Sequence, residues 1–309
     1  MDITMSNSNI VKQRWGAFVA LLGCGALVAL STNLAKVAYQ QGLAPLPFLT
    51  WSLAGATLLL GCVFFSKHQR PLINKKAIKY YFIAGFFSVA GSNLIFFSAV
   101  AHVGVSFVAL VISLPPILTY VAALMLGMER FNGWRAAGVC FALVGAVILV
   151  SAQWSLPETN RLWLLITLIG PVLLASGNIY RTRHWPVGAK AGALAPAMLL
   201  AATTTLLLVA TITPELSLHV LINIQNSLLI VLQSIVFAGQ FLLLFVLQRL
   251  GGPVFLSLTG AVSTAFAIPF AMLLFDEPML PTLAPSAIFI LVGIVFMMKG
   301  QLQNTHKLS

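Results

Sequence analysis

The sequence is divided by apolar runs about as long as a bilayer is thick. Neither Trp15–Leu30 nor Ser227–Leu247 contains a charged residue. A helix of roughly 20 residues crosses the hydrocarbon core, and lipid offers the backbone no hydrogen-bond partners, so such runs must be helical. They recur near 15–38, 46–65, 78–100, 104–126 and 132–152, then near 162–182, 191–212, 227–248, 253–275 and 282–299. Hydrophobic residues make up 60% of the chain and charged residues 7%, with a mean hydropathy of +0.99. Soluble domains are roughly half apolar and a quarter charged, so this chain could not solvate itself in water. The expectation is an all-α polytopic membrane protein with ten transmembrane helices.

The net charge of +11 would suggest nucleic acid in a soluble protein. Here its distribution decides. If the N-terminus is cytoplasmic, every basic residue except Lys36 and Arg161 falls to the cytoplasmic side. That bias is the usual topology signal. Both termini are therefore expected in the cytoplasm, the location a bacterial inner membrane, and nucleic acid is excluded as a partner. Cys24, Cys62 and Cys140 lie inside spans without metal-type spacing, and read as small core residues. The first span is too long for a signal peptide's apolar region and reads as retained.

The chain also repeats itself. At a constant offset of 148 residues, Gly91 meets Gly239, Phe97 meets Phe245, Gly104 meets Gly252, Glu129 meets Glu277 and Gly145 meets Gly293. A weaker echo, at an offset of 145, pairs Ser31, Asn33 and Lys36 with Ser176, Asn178 and Arg181. Five spans per unit is an odd number, so the second unit enters the membrane upside down. Inverted repeats are characteristic of secondary transporters, whose halves exchange roles to open on alternate sides.

The most specific elements are GMER at 127–130 and FDEP at 275–278, each closing the fourth span of a unit before a glycine-containing fifth. With these, the chain resembles the drug/metabolite transporter superfamily, of the EamA type, over about residues 15–151 and 161–299. The resemblance implies two inverted five-helix repeats at those boundaries, a central substrate cavity, and export of small metabolites. Residues 1–14 and 300–309 are then cytoplasmic tails. Phe275 and Asp276 depart from the small residue often found before the glutamate.

Glu129 and Glu277 each precede a new helix, where free N–H groups and the dipole favour a carboxylate. They read as structural caps at helix starts rather than proton carriers, because a surface turn gives no access to a cavity. No other Asp or Glu lies in any span, whereas intramembrane acids are the usual proton relays and cation counter-charges. Lys36 and Arg181 are the basic residues within spans that could face a substrate path; the plainer reading has each snorkelling to the interface. The amides Asn33, Asn93, Asn178, Gln233 and Gln240 need partners inside lipid. Singly, each is explained by an interhelical hydrogen bond; together they favour a polar interior. Asn33, Lys36, Trp51, Asn93, Tyr120, Asn178, Arg181 and Gln240 are the candidate substrate-binding residues, with Trp51 and Tyr120 as aromatic walls. Pro115 and Pro116 interrupt the fourth span and are the candidate hinge.

The expected function is a secondary transporter exporting small polar metabolites, amino-acid-like or otherwise neutral, zwitterionic or anionic. A passive channel is the alternative. An intramembrane enzyme would need paired acids or an activated nucleophile, and no such set is visible. No catalytic residue, metal site or cofactor is expected. The partners are a small-molecule substrate and the lipid bilayer; monomer and homodimer stay open.

Overall fold

The computed structural model describes residues 7–66, 71–154, 160–189, 191–212, 221, 223–250, 259–277 and 281–306. Two single helices come first, α1 (Asn7–Gln40) and α2 (Pro45–Ser66). The third span is α3 (Lys75–Gly85), a π-helical turn (Phe86–Ala90) and α4 (Gly91–Val103). The fourth is α5 (Val105–Ile112) and α6 (Pro115–Met125), and the fifth is α7 (Gly133–Trp154). Then follow α8 (Arg161–Arg183), α9 (Ala191–Ile212), α10 (Ile224–Leu250), α11 (Thr259–Phe275) and α12 (Leu283–His306).

Among the described residues, nine helical stretches of 18 to 29 residues are long and apolar enough to cross a bilayer. The tenth is α11, with 17 residues; the earlier part of its expected span, 253–258, lies outside the described residues, as do Gly251 and Gly252. The terminal helices overrun the expected span edges, α1 beginning at Asn7 and α12 continuing to His306. Apolar side chains cover the outside: Leu58 is 71% exposed and Leu273 80%. A surface of that kind suits lipid, where burying apolar groups brings no gain over leaving them outside. Cys62 and Cys140 lie on this surface and only Cys24 is buried, which corrects the expectation of three core cysteines. Composition had placed them in spans without fixing the face of each helix.

The packing follows a two-fold exchange. The first span packs on the eighth and ninth (α1 on α10 and α11), and the sixth packs on the third and fourth (α8 on α4 and α6). Second meets seventh (α2 with α9), fourth meets ninth (α5 with α11), and fifth meets tenth (α7 with α12). Exchanging spans one to five with spans six to ten leaves these neighbours unchanged. The α7 and α12 backbones approach closely: a Cβ on Gly138 would stand 2.5 Å from the Gly293 carbonyl oxygen and one on Gly293 2.6 Å from that of Gly138. Small residues that let backbones touch are the usual means of helix association in lipid.

The break in the fourth span follows from proline chemistry. Pro115 and Pro116 have no N–H for the carbonyls of Val111 and Ile112. Leu114 N donates to Val111 O instead, at 3.1 Å, and Ser113 N turns to Leu110 O at 3.1 Å. This leaves Ala109 O without its usual donor; the buried Thr264 hydroxyl of α11 lies 2.8 Å away, its one proton shared with Gly260 O at 2.9 Å. Single prolines at 171, 196 and 269 leave α8, α9 and α11 continuous.

Contacts define two ends of the bundle. At one, the end of α1 meets the end of α4 and α4's end meets the start of α8, through Lys36–Val100 and His102–Trp163. At the other, the start of α3 meets the end of α8 through stacked Tyr80 and Tyr180. These are called below the Lys36 end and the Arg181 end.

Candidate functional site

Between the halves runs a set of buried polar groups that the protein does not satisfy. Asn33, 3% exposed, donates Nδ2 to Ala29 O at 2.9 Å, and its Oδ1 is buried without a partner. Gln233, fully buried on α10, donates Nε2 to Ser31 Oγ at 2.6 Å, and its Oε1 is likewise unpartnered. Gln240 Oε1 and Trp51 Nε1 complete the group. Each unsatisfied buried polar atom costs roughly 1–3 kcal/mol, and both donors and acceptors are left over. An interior with that inventory is suited to a polar guest rather than an apolar one.

The cationic candidates occupy opposite ends. Lys36 Nζ reaches Val100 O at 3.4 Å, beside a row in which Tyr39 neighbours His102 at 6.4 Å and His102 stacks on Trp163 at 4.4 Å between centroids. Arg181 donates Nη2 to Asn178 Oδ1 at 2.6 Å, and Asn178 Nδ2 lies 3.5 Å from Thr119 Oγ1. Tyr80, Tyr180 and His184 stack beside it, at 6.0 and 4.5 Å between successive rings. The shared i, i+3 spacing therefore brings Asn178 into contact with Arg181, whereas Asn33 turns back onto its own helix.

Other candidates are committed elsewhere. Asn93 donates to Val89 O at 2.7 Å, just after the π-helical turn. Tyr120 is buried; its hydroxyl accepts from Asn132 N at 3.0 Å and the Arg135 guanidinium covers its ring at 3.9 Å. Its hydroxyl and ring face thus serve the turn before α7 and are not free to form an aromatic wall. Glu129 pairs with Arg135, the one ion pair among the described residues. The cap of α7 is Asn132, whose Oδ1 accepts from Arg135 N at 3.2 Å.

Glu277 caps a helix, but not the one that follows it. Its carboxylate accepts from Val105 N at 2.7 Å, Ser106 N at 3.1 Å and Ser106 Oγ at 2.8 Å. These are the free donors at the start of α5, in the other half of the chain. The next helix starts only at Leu283, too far along for Glu277 to reach its first turn, and the turn through Asp276 (φ 50°) points the carboxylate across the bundle. Sequence reasoning foresaw a cap and missed its partner, because contacts across 172 residues have no local signature. It also left Gln233, Ser31, Tyr80 and Trp163 out of the candidate set. The amide of Gln233 in an apolar run was the one available signal. No three His, Cys, Asp or Glu side chains converge among the described residues.

The profile of the EamA-like transporter family matches residues 14–151. Residues 14–151 are an EamA-like segment. That segment holds α2 to α6 and most of α1 and α7, and with them Lys36, Trp51, Asn93 and the Pro115–Pro116 break. Among curated relatives, an uncharacterized transporter of Bacillus subtilis (strain 168), YyaM, is 27% identical over 165 residues, covering 52% of each chain. A WAT1-related protein of Arabidopsis thaliana, At4g01440, is 20% identical over 182 residues, covering 57% of this chain and 49% of that one. The matches thus span about half the length of these relatives. A solved crystal structure of a protein 16% identical in sequence superimposes with a TM-score of 0.66, covering 95% of this chain and 99% of that one. It shows the fold, which extends the helical architecture well beyond the EamA-like segment. With the apolar helices, these findings make the chain a multi-pass membrane protein.

Proposed function

We propose that the protein is a secondary transporter that exports small polar metabolites by alternating access. Its units are residues 15–151 and 161–299, inverted with respect to each other, with both termini cytoplasmic in a bacterial inner membrane. The observation that carries this reading is the unsatisfied polar interior where the halves meet, within a bundle whose neighbours survive exchange of those halves. Asn33, Gln233, Gln240 and Trp51 offer the guest donors and acceptors; Lys36 and Arg181 stand toward the two ends. Glu277 holds the start of α5 and Glu129 pairs with Arg135, so neither carries substrate. The Pro115–Pro116 break lets α5 tilt against α6, since no backbone hydrogen bond from either proline ties the two.

Counterflow in proteoliposomes tests this directly. Purified full-length protein, preloaded in turn with each member of a panel of unlabelled amino acids and neutral metabolites, should take up the labelled form with saturation. Flux that stays linear with concentration and shows no counter-exchange would make the protein a pore. Replacing both Pro115 and Pro116 with leucine should slow counterflow by about 10-fold, as expected for a hinge. Unchanged counterflow in that variant would remove the hinge.

A further inference from the structure

In the 145-residue echo Lys36 and Arg181 correspond: each is the sixth residue of a Ser-x-Asn-x-x-cation stretch on the first helix of its unit. The next residue one turn on is aromatic in both, Tyr39 and His184, and each sits against another ring. A basic side chain inside a span is costly to keep, even toward an end, so a retained pair calls for counter-charge. The described part of the protein supplies none: the carboxylate of Glu129 is taken by Arg135, that of Glu277 by the start of α5, and Asp276 is exposed and in no ion pair with either cation. Snorkelling explains Arg183, which is exposed. It does not explain Arg181, which is half-buried and turned onto Asn178, with Nε buried and unpartnered. At the same end, Tyr80 stacks on Tyr180, the residue before Arg181, and its hydroxyl, in a side chain 1% exposed, is also without a hydrogen-bond partner. A guanidinium N–H and a phenol O–H left unused at one end of the bundle are two buried donors that suit an anionic acceptor.

We infer that Lys36 and Arg181 are mirrored docking points for a carboxylate of the substrate, one serving each end of the pathway, so that the transported class is organic anions and zwitterions. This rests on the transporter reading and narrows it. When the Lys36 end is open, the ammonium holds the carboxylate; when the Arg181 end is open, the guanidinium holds it with the Tyr80 hydroxyl. Each cation therefore sets affinity on its own side only.

Proteoliposomes of uniform protein orientation, made of phosphatidylcholine alone, separate the possibilities. The probes are labelled acetate, pyruvate, succinate, L-alanine and L-phenylalanine, each beside its amide, with choline as the cation. At least one carboxylate should show saturable counterflow and exceed its amide. K36Q should raise the half-saturation concentration for that carboxylate roughly 10- to 100-fold at the Lys36 end alone, the loss expected for one charge-assisted bond. R181Q should do so at the Arg181 end alone, and K36R and R181K should retain most affinity. Y80F should resemble a milder R181Q. Equal effects of either variant at both ends, or none at either, would overturn the inference. So would dependence on added anionic lipid, which would assign both cations to phosphate headgroups. If choline or the amides saturate while no carboxylate does, the inference fails and the transporter stands; if no probe counterflows, both fail.

Discussion

Replacing Glu277 with alanine should cost the protein about 2–4 kcal/mol of stability, since it removes a carboxylate that accepts three hydrogen bonds at the start of α5. Two of those donors are backbone N–H groups with no helical carbonyl to turn to, and the charge complements the positive end of the helix. Gly104 is part of the same latch. Its φ of +82° is open to glycine at little cost, and a Cβ there would lie 3.1 Å from Glu277 Oε1. G104A should therefore destabilise by about 1–3 kcal/mol, through strain and through pressure on the carboxylate. Thermal aggregation of detergent-solubilised protein reads both. A melting profile of E277A matching wild type would mean that the three bonds bear no weight. The second copy cannot build an equal latch: Gly252, Pro253 and Val254 stand where the first has Gly104, Val105 and Ser106. One N–H and one hydroxyl are missing there, which fits Glu129 having turned to Arg135.

G293V should have the larger effect. The α7 and α12 backbones approach so closely at Gly138 and Gly293 that a side chain on either meets a carbonyl of the other. Neither helix can yield locally, because the obstacle is backbone rather than a flexible side chain. Overpacking of this kind costs at least about 3 kcal/mol where nothing relaxes. The expected result is loss of the monodisperse peak in fluorescence-detected size exclusion, with membrane insertion preserved, since each span remains as apolar as before. A normal elution profile for G293V would show that these helices are not clamped together.

How much of this was legible in the sequence depended on how local the cause was. Apolar run length gave the helices, and the 148-residue register of Gly104/Gly252 and Glu129/Glu277 gave the expectation of two related halves. Pro115 and Pro116 marked the break to the residue, because the missing N–H groups act on carbonyls four positions away. The π-helical turn at Phe86–Ala90 had no such mark, since nothing in that stretch forbids an ordinary helix. Tyr120 and Asn33 looked alike as polar groups in apolar spans. Only packing distinguishes them: Tyr120 is saturated by Asn132 and Arg135, and Asn33 keeps a free acceptor. The use of Glu277 was hidden for the same reason, its partners lying in the other half of the chain.

The most direct test of alternating access uses one thiol at the meeting of the two halves. In a background with Cys24, Cys62 and Cys140 replaced, cysteine at position 31, beside Gln233, is exposed to a membrane-impermeant thiol reagent from one face and then the other. It should react from both. Adding cysteines at 106 and 277 and oxidising them to a disulfide, which leaves the lone thiol at 31 free, should leave reaction only from the Arg181 end. A position 31 that reacts from neither face, or equally from both after the join, would contradict a pathway that opens to one side at a time.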